Sequence, residues 1–251
     1  MGESITMNRQ LIFILHILTS LFLLSFPLQA EVVTNQNVVT CEDGEQFIVQ
    51  EKEAVETSHL PGPKDDLIVV DIRKLQLCFY RNGQTLRTYP VAVGELETPT
   101  PIGEWKIIHK GGNWGNGFGE RWMGINVPWG IYGIHGTNKP WTIGTRSSHG
   151  CVRMLNQHVL DLYGLVKMGT PVHIIGILPK VSPRKEVGRN STGRDIIAFQ
   201  FALRKAGFEP GTVDGRFGAE MEQAVYRLQF FYGLAPTGII SFNEQVILGF
   251  R

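Results

Sequence analysis

Residues 67–93 run Leu67-Ile-Val-Val-Asp-Ile-Arg-Lys-Leu-Gln-Leu-Cys-Phe-Tyr-Arg-Asn-Gly-Gln-Thr-Leu-Arg-Thr-Tyr-Pro-Val-Ala-Val93. Leu67–Ile72 is rich in β-branched residues, and Leu75–Tyr80 alternates in part. Asn82-Gly83 supplies the left-handed pair that a two-residue hairpin turn needs, so Thr85–Val93 should return as the partner strand. Working outward, Gly103–His109 and Gly130–His135 are further strand candidates, separated by a loop, 111–119, that holds five glycines. A helix is expected from a cap at Asn156 to about Val166, with Val159, Leu160, Leu162, Tyr163 and Val166 on its apolar face. Gly169-Thr-Pro171 then turns the chain into a last strand, Val172–Ile177. Residues 66–178 read as a mainly-β domain with one or two helices.

The period changes on either side of this block. Residues 179–191 carry Pro179, Pro183 and Gly188 among charges and read as an exposed linker. Thr192-Gly-Arg-Asp195 has the pattern of a capping box, opening a helix with Ile196, Phe199, Leu203 and Ala206 inward and Gly207 at its end. A second helix is expected from about Ala219 to Tyr232, with Met221, Ala224, Val225, Leu228 and Phe231 inward. Ser241-Phe-Asn-Glu244 should cap a short third helix. Residues 192–251 thus make a small three-helix, all-α domain whose core is marginal on its own.

At the other end, Arg9 precedes an apolar run, Leu11–Phe26, followed by Pro27-Leu-Gln-Ala30. The run is shorter than the roughly 20 residues of a membrane-spanning helix. Residues 1–30 read as an export signal cleaved after Ala30, with an uncleaved anchor as the other reading. Residues 31–65 form a polar lead-in segment. Net charge is +1, which gives no general footprint for nucleic acid. There are three cysteines. In an oxidising compartment Cys41 and Cys78 can pair, which would leave Cys151 free.

Cys151 lies in Arg146-Ser-Ser-His-Gly-Cys-Val-Arg-Met154, and His135-Gly136 ends an upstream strand candidate. A cysteine nucleophile needs a base to take its proton and a positive or dipolar surrounding to hold the thiolate. His135 can be that base, with the Gly136 carbonyl fixing its tautomer; His149 is the alternative. Gly150 frees the backbone so that its N–H, with that of Cys151, can meet a developing oxyanion. Ser148 and His149 would shape the turn, and Arg153 can grip a carboxylate. Trp114 and Phe118, in the glycine-rich loop, can cover a bound substrate. Two other readings of the same residues are a metal site of His135, His149 and Cys151 and a buried structural cysteine.

Ser148-His-Gly-Cys-Val-Arg153, with His135-Gly136 upstream, resembles the signature of the L,D-transpeptidase catalytic domain of the YkuD type. The similarity extends to Leu67–Asp71, the hairpin, Tyr89–Gly94, Thr98–Trp105 and Gly133–Gly136, covering about 66–177. Some members of that family carry Asn at the position of Arg153. Residues 192–249 resemble a three-helix peptidoglycan-binding module through Val213-Asp-Gly215, Phe217-Gly218 and Thr237-Gly238, with Asp214 as a turn-former. The resemblance implies a β-sandwich-like catalytic domain that acts on peptidoglycan stem peptides. It implies Cys151 as nucleophile, His135 as general base and acid, and a thioester intermediate. No metal or cofactor is implied. The product would be a 3-3 cross-link with release of D-alanine. Water as acceptor would make the enzyme a carboxypeptidase, and a lysine amine would make it a protein-to-wall linking enzyme. A non-catalytic wall-binding protein is the reading of a different class. The expected partners are stem peptides and glycan, outside the cytoplasm, with the protein a monomer.

Overall fold

The computed structural model describes the backbone of residues 38–40 and 46–48, and residues 65–112, 115–178, 180 and 182–250, apart from the side chain of Asn116. Residues 1–30, read as an export signal, Cys41 and Trp114 lie outside the described residues. The chain divides into two compact units, Met1–Lys52 and Glu53–Arg251. In the first, β1 (Val38–Thr40) and β2 (Gln46–Ile48) pair antiparallel.

The second unit opens with β3 (Leu67–Asp71), β4 (Gln76–Arg81) and β5 (Gln84–Pro90). Asn82 (φ 53°) and Gly83 (φ 75°) make the left-handed turn between β4 and β5. After β6 (Val93–Gly94) come β7 (Gly103–Gly112), β8 (Arg121–Ile125), β9 (Tyr132–His135), β10 (Arg146–Ser148) and β11 (Val152–Arg153). Helix α1 (Asn156–Leu165) and β12 (Pro171–Ile175) complete the domain. Eight strands form one mixed sheet in the order β11-β9-β8-β7-β12-β3-β4-β5, and β10 pairs with β6 in a second, two-stranded sheet. Alternation along the strands sends Ile68, Val70, Leu77, Phe79, Trp105, Ile107, Met123 and Ile134 into one core, closed by Val159 and Leu162 of α1.

The sequence reading missed β8 because its residues sit beside the glycine-rich loop, and it missed β6, β10 and β11 because each is only two or three residues long. Leu160, expected inward, is exposed, because α1 packs only a narrow stripe on the sheet. Ile177 lies beyond the end of β12 and is exposed. Asn156 is the first helical residue, not the cap; Leu155 holds that position. The other end of α1 is capped from the sheet: Lys110 Nζ donates to the carbonyls of Tyr163 (2.7 Å) and Val166 (2.5 Å), placing a cation at the negative end of the helix. Cys78, on β4, is a free thiol with its Sγ 3.6 Å from Thr88 Oγ1.

The C-terminal helices are α2 (Arg194–Lys205), α3 (Ala219–Phe231) and α4 (Phe242–Ile247). Their core holds Ile196, Phe199, Leu203, Phe217, Met221, Ala224, Val225 and Leu228. The Ser241–Glu244 capping box is formed. Gly193, not Thr192, caps α2, and the Asp195 carboxylate instead takes the Arg184 guanidinium at 2.7 Å. Ala206 is exposed one residue past α2. Phe231 is 72% exposed, contrary to its expected inward place, because α3 already buries its opposite face. Part of the expected linker is packed as well: Val187 is buried and exchanges backbone hydrogen bonds with Ile240 (3.0 and 2.9 Å).

The helical domain is joined to the β domain through buried groups. Ile197, Phe201 and Val213 belong to the core of the β domain. Arg204 on α2 grips Glu104 on β7, with Nη1 2.5 Å from Oε1 and Nη2 3.3 Å from Oε2. The Val213 N–H donates to Glu104 Oε2 at 2.9 Å, and the Glu104 N–H to the Val213 carbonyl at 2.8 Å. Burial pushes the Glu104 carboxyl up, but Arg204 and the Val213 amide together hold it below the usual carboxylate range. Arg204→Ala should strand a carboxylate inside this interface and cost about 3 kcal/mol. Urea unfolding followed by intrinsic fluorescence checks this: the midpoint should drop sharply, and Glu104→Gln on the same background should recover part of the loss.

Candidate active site

The two-residue strand β11 is held on both sides. Val152 and Arg153 pair in parallel with Ile134 and His135 of β9. On the other side the Arg153 N–H donates to the Ala92 carbonyl (2.8 Å) and the Ala92 N–H to the Arg153 carbonyl (2.9 Å). The Met154 N–H donates to the His135 carbonyl at 2.8 Å. Period-2 alternation then puts Cys151 and Arg153 on the same face of β11, the face that carries His135 on β9.

The turn that delivers Cys151 is built around Ser148. Ser148 is buried; its hydroxyl donates to the Cys151 carbonyl at 2.6 Å and accepts the Gly150 N–H at 3.1 Å. The Ser148 carbonyl in turn accepts from the Glu95 N–H (3.0 Å) and the Thr98 hydroxyl (3.3 Å). Gly150 has φ +114°, and a Cβ there would sit 2.7 Å from Tyr132 Cε1, so only glycine fits. The Gly150 amide, expected to face an oxyanion, is therefore committed to Ser148. His149, between them, is exposed.

His135 is almost fully buried. Its ring stacks on Trp122 (centroids 5.4 Å apart, 24° between planes) and meets the Phe118 ring edge-on at 5.1 Å. His135 Nδ1 lies 2.5 Å from the Gly136 carbonyl oxygen. A carbonyl only accepts, so Nδ1 carries the proton and the Nε2 lone pair is the basic site. Burial lowers the imidazole to about 4; the Gly136 carbonyl opposes that shift, Arg153 adds to it, and the Phe118 carbonyl opposes it. Burial also raises the Cys151 thiol, against the opposing pull of the Gly133 backbone and Arg153. At neutral pH Cys151 is a thiol and His135 a neutral imidazole.

Asn156 holds this geometry from behind, and nothing in the sequence pointed to it beyond a helix start. Its Oδ1 accepts from the backbone amides of Glu120 and Thr137, both at 3.2 Å. A Cβ on Gly136 would collide with that oxygen. The bond thus pins the segment after β9 to the segment before β8, on which Phe118 approaches His135. Trp122, Tyr132 and Gly133 were likewise not singled out, since their roles depend on cross-strand neighbours. Arg153 is half-buried, with Nη1 on the Ser147 carbonyl at 3.1 Å, and its charge reaches both Cys151 and His135. Among the described residues no group of three His, Cys, Asp or Glu side chains is arranged to hold a metal ion.

The depressed His135 value has a consequence for stability. The unfolded chain binds a proton at this histidine near its ordinary value of about 6.5, the folded chain only near 4. As pH falls from about 6.5 towards 4 the unfolded state is favoured, by up to about 3 kcal/mol. His135→Asn should remove that part of the acid slope, read as a smaller difference in Tm between pH 7 and pH 4.5 than in the wild type.

Residues 65–174 match the L,D-transpeptidase catalytic domain family, and residues 192–244 match a peptidoglycan binding domain. The chain is 43% identical to the L,D-transpeptidase YkuD of Bacillus subtilis over 107 residues, covering 43% of this chain and 64% of that protein. It is 33% identical to YqjB of the same organism, named in the same way, over 129 residues, covering 45% of this chain and 73% of that protein. Among solved structures it resembles the catalytic domain of the Enterococcus faecium L,D-transpeptidase, with 27% identity and a TM-score of 0.39, covering 44% of this chain and 97% of that one. On the similarity to YqjB and the two family matches, the chain belongs to the L,D-transpeptidase family, with a catalytic domain followed by a helical peptidoglycan-binding region.

Proposed function

We propose that the protein is an exported cysteine acyltransferase that forms 3-3 cross-links between peptidoglycan stem peptides. The observation that carries this reading is the locked tautomer of His135, on the strand that pairs with the one Cys151 leads into. The thiol proton passes to His135 Nε2 as Cys151 Sγ attacks the carbonyl at the L-centre of a donor tetrapeptide. The Cys151 amide meets the oxyanion, since the Gly150 amide is engaged by Ser148. Collapse breaks the C–N bond, and the imidazolium protonates the departing D-alanine. An amine of a second stem peptide then attacks the thioester, and its proton returns by way of His135 to the sulfur.

Burial suits this sequence of steps. A neutral thiol and imidazole exclude a standing thiolate, which limits oxidation between turnovers. An imidazolium with a low pKa is a strong acid towards the leaving amine. Arg153, whose charge reaches both groups, holds a substrate carboxylate, and Phe118 covers the donor next to the base. The peptidoglycan-binding region and the family support work outside the cytoplasm, and residues 1–30 would act as the export signal. No helix among the described residues is long and apolar enough to cross a membrane.

Intact-protein mass spectrometry with a carbapenem tests the nucleophile and base. Wild type should gain a covalent adduct and Cys151→Ala none. His135→Ala should slow acylation about 10²–10⁴-fold, and His149→Ala should slow it much less. A wild type that forms no adduct, or the reverse order of the two histidines, overturns the assignment. Incubation with purified sacculi and defined stem peptides separates the acceptors: new 3-3 cross-links support the proposal, whereas shortened stems or protein-linked stems would assign water or a lysine amine instead.

A further inference from the structure

We infer that the helical domain grips a glycan strand in the groove between the end of α2 and the outer side of α3, with sugar rings stacked on Phe230 and Phe231. This rests on the reading of the domain as a wall-binding module and names the surface and the ligand chemistry.

Helix α3 buries Met221, Ala224, Val225, Leu228 and Gln229. A surface helix then ordinarily turns polar residues outward. Here Tyr226 and Phe230, and Arg227 and Phe231, form two i, i+4 rows on the outer side, and Phe230 is 86% exposed. Isolated exposed apolar residues need no explanation, but a contiguous aromatic surface does. Phe231 is held in place: its ring meets Phe208 edge-on at 5.9 Å and Tyr232 at 5.1 Å. Gly207, Phe208, Tyr226, Arg227, Phe230 and Phe231 line an open concavity of about 440 Å³.

The lining selects the ligand class. Fixed aromatic faces suit a ring with an apolar C–H face and polar edges, which is the shape of a pyranose. Arg227 donates from Nη2 to the Glu209 carbonyl at 2.9 Å, which holds its guanidinium at the groove. Its other N–H groups and the Tyr226 hydroxyl can meet acetamido and carboxylate oxygens. The match of residues 192–244 to a peptidoglycan binding domain supplies a polymer of this chemistry. A second copy of the chain fits less well: a stable dimer needs about 800 Å² from each partner, and six residues around a concavity offer only part of that. Helix α2, which ends at the groove, is also the helix whose Arg204 grips Glu104 of the β domain. A strand bound here is therefore held at a fixed position relative to the active-site domain.

The test is co-sedimentation of the full-length protein with purified sacculi, competed by peptide-free glycan strands from amidase-treated wall. Phe230→Ser with Phe231→Ser should weaken retention at least tenfold while the melting curve by circular dichroism stays cooperative. Phe242→Ser, at an exposed phenylalanine away from the groove on α4, should leave retention unchanged. Peptide-free glycan should release the wild type. Wild type that never sediments overturns the wall-binding reading itself. Wild type that sediments with an equally retained double variant overturns the groove alone. Release by stem peptides but not by bare glycan overturns the ligand assignment. A wild-type dimer that the double variant dissociates, seen by sedimentation velocity, would assign the groove to a second copy instead.

Discussion

The parallel pairing of β11 with β9 is the contact on which the site depends. A parallel pair gives slanted hydrogen bonds and slightly less stability per residue than an antiparallel one, and β11 is only two residues long. It survives because it is bonded on both sides, to His135 through Met154 and to Ala92 through Arg153. Ser148 fixes the approach by bonding both Gly150 and the Cys151 carbonyl. Cys151 thereby leads into a strand paired with the one that ends in His135, sixteen positions earlier.

Burial sets the electrostatics of what that pairing brings together. Trp122 and Phe118 exclude water from His135, and burial at its own position raises the thiol of Cys151. Both groups are driven towards their neutral forms. Arg153 acts on both in one direction: its positive charge disfavours the imidazolium and favours the thiolate. The active site and the interdomain contact differ in this respect. At Glu104 the burial penalty is met by a guanidinium and a backbone amide, so the carboxylate stays charged and ties the two domains together.

Short-range signals in the chain were readable. Asn82-Gly83 fixed the hairpin because its two residues must both take positive φ. The periods of β3 and α3 showed in their apolar residues, and Ser241 with Glu244 marked a helix start because both capping bonds are local. Cys151 and His135, each beside a glycine, stood out by residue type as a candidate nucleophile and a candidate base. Where the reading went astray the cause was a partner distant in sequence. Asn156 looks like a cap until the amides of Glu120 and Thr137 claim its oxygen. Thr192 looks like one until Arg184 claims Asp195. Phe231 satisfies a helical period, yet α3 has already buried the opposite stripe.

The sequence by itself determined the β and helical blocks and the chemistry that a thiol and an imidazole make available. Those depend on torsion preferences, hydrophobic period and residue type, which act over a few positions. Only the tertiary structure decided which nitrogen of His135 is basic, that the Gly150 amide is spoken for, and that two phenylalanines of α3 face water. Each of these turns on which groups meet across strands and between helices, because burial and hydrogen bonding are properties of a neighbourhood and not of a residue.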